Sequence, residues 1–353
     1  MALMSSNYTY NSLASKYDDF VLPAYKITVG GTQILTDSAS ALQYLEVTLS
    51  VEDTGSAHFF ITQEYDRSSS SFEGSLKSTL KTGKIVEIYL GYNSDTTLVF
   101  KGFIGALDVV FDAEDSLGFE VLAFDARWLM KTDNLPYVFY EKANYSDIAT
   151  EILTRYKTLA TPKVDSTSDK LTELVVQKEN DYDFLTKTLA LKTGCELFVV
   201  ADELYFRKKT SESAFYTIDI SSGLKYFSKS DKYLNKSIEV QGLDLAFSEV
   251  ISSTVTAKNS NQTDVISAST SVYTFEDCLT ASEAKTIASS IQTSLQNECS
   301  TAKGIVIGLP EIVPGRYVEI SKLDSTVNDK YYIVEVIHKI DEEGFETSFL
   351  TKG

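Results

Sequence analysis

Apolar and polar positions alternate along most of this chain. Tyr25, Ile27 and Val29 alternate with polar neighbours and stop at Gly30-Gly31, a turn signal. Leu45, Val47, Leu49 and Val51 alternate with Glu46, Thr48 and Ser50, which predicts a strand with one buried and one wet face. The same period predicts strands over 85–92, 97–111 and 117–124, joined by short polar connections, as in a sandwich or barrel. Residues 1–22 are Ser/Asn/Tyr-rich and read as an arm that orders only against a partner.

The period lengthens in the middle. Asn144 or Ser146 caps a helix carrying Ile148, Ile152, Leu153 and Tyr156 on one face. A second helix starts near Asn180, carries Phe184, Leu185, Leu189 and Ala190, and ends at Gly194, suited to a left-handed cap. A hairpin over 196–200 and 204–208 follows. Strands return at 238–240 and 250–257, then a Ser/Asn/Gln/Thr-rich loop over 258–270. A helix over 281–297 has Thr280 and Glu283 at capping-box spacing and Ala284, Ile287, Ala288, Ile291 and Leu295 as its apolar stripe. Strands over 304–309, 317–320, 330–340 and 344–350 close the chain. The division expected is an arm (1–22), a first β-barrel (23–131), an α+β insertion module (132–222) and a second β-barrel with one packed helix (223–353).

The strongest internal signal is a repeat. Gly83-Lys84-Ile85-Val86-Glu87-Ile88 returns as Gly315-Arg316-Tyr317-Val318-Glu319-Ile320. Each copy runs into a polar loop, then a long strand, then Gly-Phe-Glu (Gly118-Phe119-Glu120 and Gly344-Phe345-Glu346). Shared order and shared ends imply two related β domains, with Val86, Ile88, Val318 and Ile320 facing cores and Glu87 and Glu319 outward.

Composition narrows the function. With 353 residues and 43% apolar content, two or three domains can bury cores without staples. The net charge of −18 removes the cationic footprint on which nucleic-acid affinity depends. Three cysteines, Cys195, Cys278 and Cys299, form neither a disulfide framework nor a zinc motif. Residues 1–20 lack the basic and apolar regions of a secretory signal, and no apolar run reaches the ~18 residues of a membrane helix.

Three stretches together give the chain a family likeness. Gln177-x-Glu179-x-Asp181-x-x-Phe184-Leu185, followed by Gly194 and a hairpin ending Leu204-Tyr205-Phe206, resembles the Q-x-x-E-x-D-x-x-F-L run of VgrG hubs, with the Gln-to-Glu spacing one residue shorter. Gly308-Leu309-Pro310, Pro314-Gly315 and the run from Tyr332 to His338 resemble the Pro-Gly turn and Y-x-V-x-x-V-x-H strand of the family's second barrel. The third is the repeat itself. The chain thus resembles the central hub proteins of contractile phage tails and phage-like particles, the late-control-D and VgrG-like hubs.

That resemblance implies a mainly β fold, two tail-tube-like barrels flanking a smaller α+β module. It implies a homotrimer whose six barrels meet a hexameric tail tube or tube-initiator protein on one side. A trimeric spike would sit on the other side, among further baseplate proteins. Because the last strand runs to Gly353, the spike is expected as a separate chain. Such a particle would be assembled in the bacterial cytoplasm, with no membrane segment and no nucleic-acid binding by this chain alone.

Catalytic motifs are missing or defeated. His58 and His338 lie far apart in strands and read as residues with local hydrogen bonds. Ser78-Thr79-Leu80-Lys81 and Lys81-Thr82-Gly83 match S-x-x-K and K-T-G but overlap, which that chemistry forbids, so they read as a short helix turning into the next strand. Gly102-x-x-Gly105 reads as a bulge. The acidic runs 112–115 and 341–343 precede Gly-Phe-Glu and read as solvated turns. No catalytic residue, cofactor-binding residue or metal ligand is assigned, and the expected role is structural and non-enzymatic. The competing expectations are a particle-borne peptidoglycan hydrolase and a β-rich adhesin.

Overall fold

The computed structural model describes residues 3–36, 38–112, 117–132, 138–171, 174–209, 213–244, 249–259, 262–275, 278 and 280–352. Six strands build a first unit: β1 (Pro23–Val29), β2 (Ser40–Ser50), β3 (Ser56–Gln63), β4 (Ile85–Tyr92), β5 (Asp95–Phe111) and β6 (Leu117–Phe124). They pair in the order β2-β3-β6-β5-β4-β1, all antiparallel. The alternation read from the sequence fixes their facing: Leu45, Val47, Val86 and Ile88 are buried, while Glu87 lies on the other face. A register shift between Ile104 and Ala106 places a bulge at Gly105.

The insertion follows a short helix α2 (Ala126–Met130). It holds β7 (Val138–Tyr140), α3 (Tyr145–Thr154), β8 (Thr161–Val164), β9 (Val175–Gln177), β10 (Cys195–Val200) and β11 (Glu203–Lys208). Asn144 caps α3, its side chain accepting from the Asp147 amide. A helical run over 181–193 begins at the Asn180 cap, contains a π-helical turn (Phe184–Leu189) and ends at Gly194, φ +70°. This module has its own core, in which Ile148, Ile152, Phe184 and Leu185 meet Leu204 and Phe206.

The second unit comprises β12 (Ala214–Ile218), β13 (Leu224–Asp231), β17 (Ser300–Ile307), β18 (Tyr317–Ile320), β19 (Asp329–Asp341) and β20 (Gly344–Lys352). Between β13 and β17 lie β14 (Asn235–Asp244), β15 (Glu249–Lys258), β16 (Ser269–Thr274) and helix α4 (Ala281–Cys299). The six strands pair in the order β13-β17-β20-β19-β18-β12. Ranked by chain position, both units follow one path: second, third, sixth, fifth, fourth, first. The repeat is therefore a repeat of topology. One difference stands out, because β12 arrives from the insertion and runs parallel to β18, whereas β1 is antiparallel to β4.

The units share one sheet of thirteen strands, the thirteenth being Thr32–Gln33 beside β1. The joint is β2 against β19, with Leu45 opposite Ile340, Val47 opposite His338 and Leu49 opposite Val336. Their apolar faces enter a common core with Val318, Ile320 and Phe345. The fold is mainly β, with two related tube-like units flanking an α+β module.

Three expectations are corrected. Ala214–Ile218, assigned from the sequence to the insertion, pairs with β18 of the second unit. The strands around 238–240 and 250–257 belong instead to a separate three-stranded sheet, β15-β14-β16, on which α4 lays Ala284, Ile287 and Ala288. Alternation specifies a buried face but not which sheet supplies it. The arm needs no partner chain to order it: α1 (Tyr10–Lys16) is capped by Thr9, and Leu3, Leu13 and Tyr17 lie in the common core.

Candidate functional site

The Gln177–Asp181 motif forms a closed polar ring inside the insertion. Gln177 Nε2 donates to Asp181 Oδ1 at 2.7 Å and to the Glu179 carbonyl at 3.0 Å. Its Oε1 accepts from the Tyr140 hydroxyl at 2.7 Å. Asp181 accepts from the Tyr156 hydroxyl (2.7 Å) and from Arg155 Nη1 (3.1 Å), and Arg155 Nη2 reaches Tyr140 Oη at 3.0 Å. Burial, reinforced by Asp181, raises the Tyr156 hydroxyl above its ordinary range. Glu179 contributes only its carbonyl here while its side chain is exposed, so the shorter spacing to Gln177 is harmless. Each polar group in this buried ring has a partner, which is how an interior network stabilises a fold.

Two further polar nodes fasten the insertion to both units. Arg127 and Asp125 are fully buried, with Nη2 to Oδ2 at 2.7 Å. Asp125 also accepts from the Arg127 amide and from the Gly55 amide, and Arg127 Nη1 donates to the Leu197 carbonyl of β10. A Cβ on Gly55 would come within 2.8 Å of Asp125 Oδ2, so glycine is required there. On the other side, Arg207 of β11 donates to the Gly315 carbonyl, and the Tyr332 hydroxyl donates to Glu196. Burial raises the Glu196 carboxyl above its ordinary range.

The arm is held by a third set. Buried Glu311 Oε1 accepts from the Tyr17 hydroxyl at 2.7 Å and from Lys16 Nζ at 2.8 Å. Arg316 donates to the Leu3 and Ser6 carbonyls and to Asn7 Oδ1, and burial pushes its pKa down to about 10. These contacts join residues 3–17 to the second unit, so the arm acts as a strap within the chain.

The residues weighed for catalysis are not brought together. His58 sits on the wet face of β3, 2.8 Å from Glu120 and 3.1 Å from the Tyr44 hydroxyl. His338 is fully buried beside Thr347, and burial pushes its pKa down to about 3. The S-x-x-K stretch begins in the last two residues of a helical turn, Leu76–Thr79, and leaves it through extended Leu80 toward Gly83. In the acidic run 341–343, Asp341 accepts from the Glu343 amide and pairs with Lys339; residues 113–115 of the other run lie outside the described residues. A cleft of about 270 Å³ between β4, β5 and the β10–β11 turn is lined by Tyr89, Thr97, Ala201 and Glu203. Among the described residues no cluster of three His, Cys, Asp or Glu is placed to hold a metal ion, and no helix is long and apolar enough to cross a membrane.

The family model for the Alg8 N-terminal domain matches residues 20–342, nearly the whole chain. The chain belongs to that family. The match takes in the first unit, the insertion and the second unit through β19, but stops short of β20 and of most of the arm. No curated protein matches it in sequence. Its fold is similar to that of a 43 kDa tail protein of prophage MuSo2 from Shewanella oneidensis: TM-score 0.69, 12% identity, covering 93% of this chain and 98% of that one. It is similar to a tail protein from Neisseria meningitidis MC58, with TM-score 0.71, 12% identity and coverage of 94% and 97%. It is also similar to an E. coli component of the type VI secretion system, with TM-score 0.58, 12% identity and coverage of 92% and 76%. The chain thus shares its fold with phage tail and type VI proteins, and the resemblance to tail hubs holds at that level.

Proposed function

We propose that this chain is a structural hub of a contractile tail or phage-like injection particle. The observation that carries the reading is the single six-strand path traced twice in one chain. A homotrimer then presents six related units, which suits the junction between a hexameric tube and a trimeric spike. Likeness to tail proteins over more than nine-tenths of the chain supports a tail role. The working division is the strap (1–22), a first β unit (23–131), the module after it (132–222, less Ala214–Ile218) and a second β unit (223–353, joined by Ala214–Ile218 and carrying the separate β14–β16 sheet), with other baseplate proteins on the outer surface. The residence is the particle, and the closed polar ring around Asp181 favours a scaffold over an enzyme.

Electron microscopy of the purified particle tests this. Three copies in one ring between tube and spike are expected; six copies, or a place outside the tube axis, overturn the reading. The purified chain should also leave peptidoglycan intact in a zymogram, and clearing lost when an acidic residue becomes its amide would replace the scaffold with a hydrolase.

A further inference from the structure

The joint between the units has two counterparts that are left open. Inside the chain, the second strand of the first unit (β2) lies along the far half of the fifth strand of the second unit (β19). The equivalent second strand of the second unit is β13, and the equivalent fifth strand of the first unit is β5. Among the described residues β13 pairs with β17 alone. Among the described residues the far half of β5, beyond Ile104, also pairs with one strand only, β6, because β4 covers only the near half.

Burial distinguishes the filled joint from the open one. Val109 and Ile340 are equivalent, each opposite the Phe of its Gly-Phe-Glu. Ile340 is 7% exposed under β2, while Val109 is 52% exposed. On the facing strand Leu45 and Val47 are fully buried, whereas Leu224 and Phe227 are half-buried and Tyr226 is 52% exposed. Soluble proteins usually guard open strand edges with charge or proline, and apolar side chains on such edges mark pairing sites.

We infer that β13 of one copy adds antiparallel to the far half of β5 of a second copy, repeating between chains the joint built within each chain. Carrying the internal register across sets Leu224 opposite Val109, Tyr226 opposite Asp108 and Phe227 opposite Leu107. The inference rests on the ring proposed above and names the contact that closes it.

Opposed residues of antiparallel strands have Cα atoms about 4.5–5.5 Å apart, within reach of a disulfide. Full-length Asp108→Cys and Tyr226→Cys chains are mixed and oxidised, each variant alone and the wild type serving as controls for the native cysteines. Both positions are exposed, so folding should be kept. A two-chain disulfide species appearing only in the mixture is expected. The double variant should close into a covalent ring of three chains. A non-covalent ring of three without the cross-link overturns this contact and leaves the hub reading standing. A cross-link that closes at another number keeps the contact and overturns the trimer. Neither association nor cross-link across a concentration series overturns the contact.

Discussion

Gly83 and Gly315 hold the same left-handed conformation, φ +82° at each, at the turn into the fourth strand of their units. Their hydrogen bonds match as well. Gly83 donates to the Ile104 carbonyl and Ile104 returns a bond to Lys84, as Gly315 donates to Ile333 and Ile333 to Arg316. Surroundings differ: a Cβ on Gly83 meets nothing within 4 Å, whereas one on Gly315 lands 2.7 Å from Phe198. Gly83→Ala should therefore cost only the left-handed strain, about 1–2 kcal/mol. Gly315→Ala should cost more, by overpacking against Phe198. Denaturant midpoints check the order, and equal losses would contradict it.

The strap should contribute to the stability of the second unit. Tyr17→Phe leaves buried Glu311 without one of its two donors, a loss of about 1–3 kcal/mol. Removing residues 1–17 should cost more, since Leu3, Leu13 and Tyr17 leave the common core. Thermal melts of the two variants test this; a truncated chain that melts like wild type would show the strap to be dispensable.

The ring around Asp181 should govern the insertion locally. Gln177→Ala leaves Tyr140 and Asp181 each short of a partner, costing about 1–3 kcal/mol. Because the module has its own core, the loss should show as faster hydrogen exchange over 138–208, with the two β units unchanged. Uniform acceleration across the chain would place the motif in the global fold instead.

His338 predicts a pH response with a definite sign. Burial lowers its folded pKa to about 3 while the unfolded value stays near 6.5. Between these values the unfolded state binds the extra proton, so stability rises with pH. The contribution of neutral His338 is fully present above about pH 6.5 and is lost as pH falls toward 3, at up to about 1.4 kcal/mol per pH unit. His338→Gln should show a flatter stability profile from pH 4 to 6.5 than wild type. Parallel profiles would mean that His338 is protonated in the folded chain.

Much of the fold was legible because strands with one wet face declare themselves by alternation, as at Leu45–Val51. The caps at Asn144, Asn180, Thr280 and Gly194 each carry a side chain or a φ that only a helix end requires. Partner choice was not legible. The β14–β16 sheet has the same local period as the units, and only packing under α4 separates it from them. The strap was missed because Leu3, Leu13 and Tyr17 sit among polar residues with no sustained period, and its anchors, Glu311 and Arg316, lie at the far end of the chain. The Gln177–Asp181 motif was visible, but its meaning depended on Tyr140, Arg155 and Tyr156 arriving from other elements.

The β2–β19 joint is carried by main-chain hydrogen bonds, which any amino acid except proline can make. A joint of that kind asks a sequence to keep its alternation and not its residues. Side chains along it can then be exchanged, apolar for apolar and polar for polar, while the pairing geometry survives. In such a protein the order of the strands is a more durable specification than the letters that spell them.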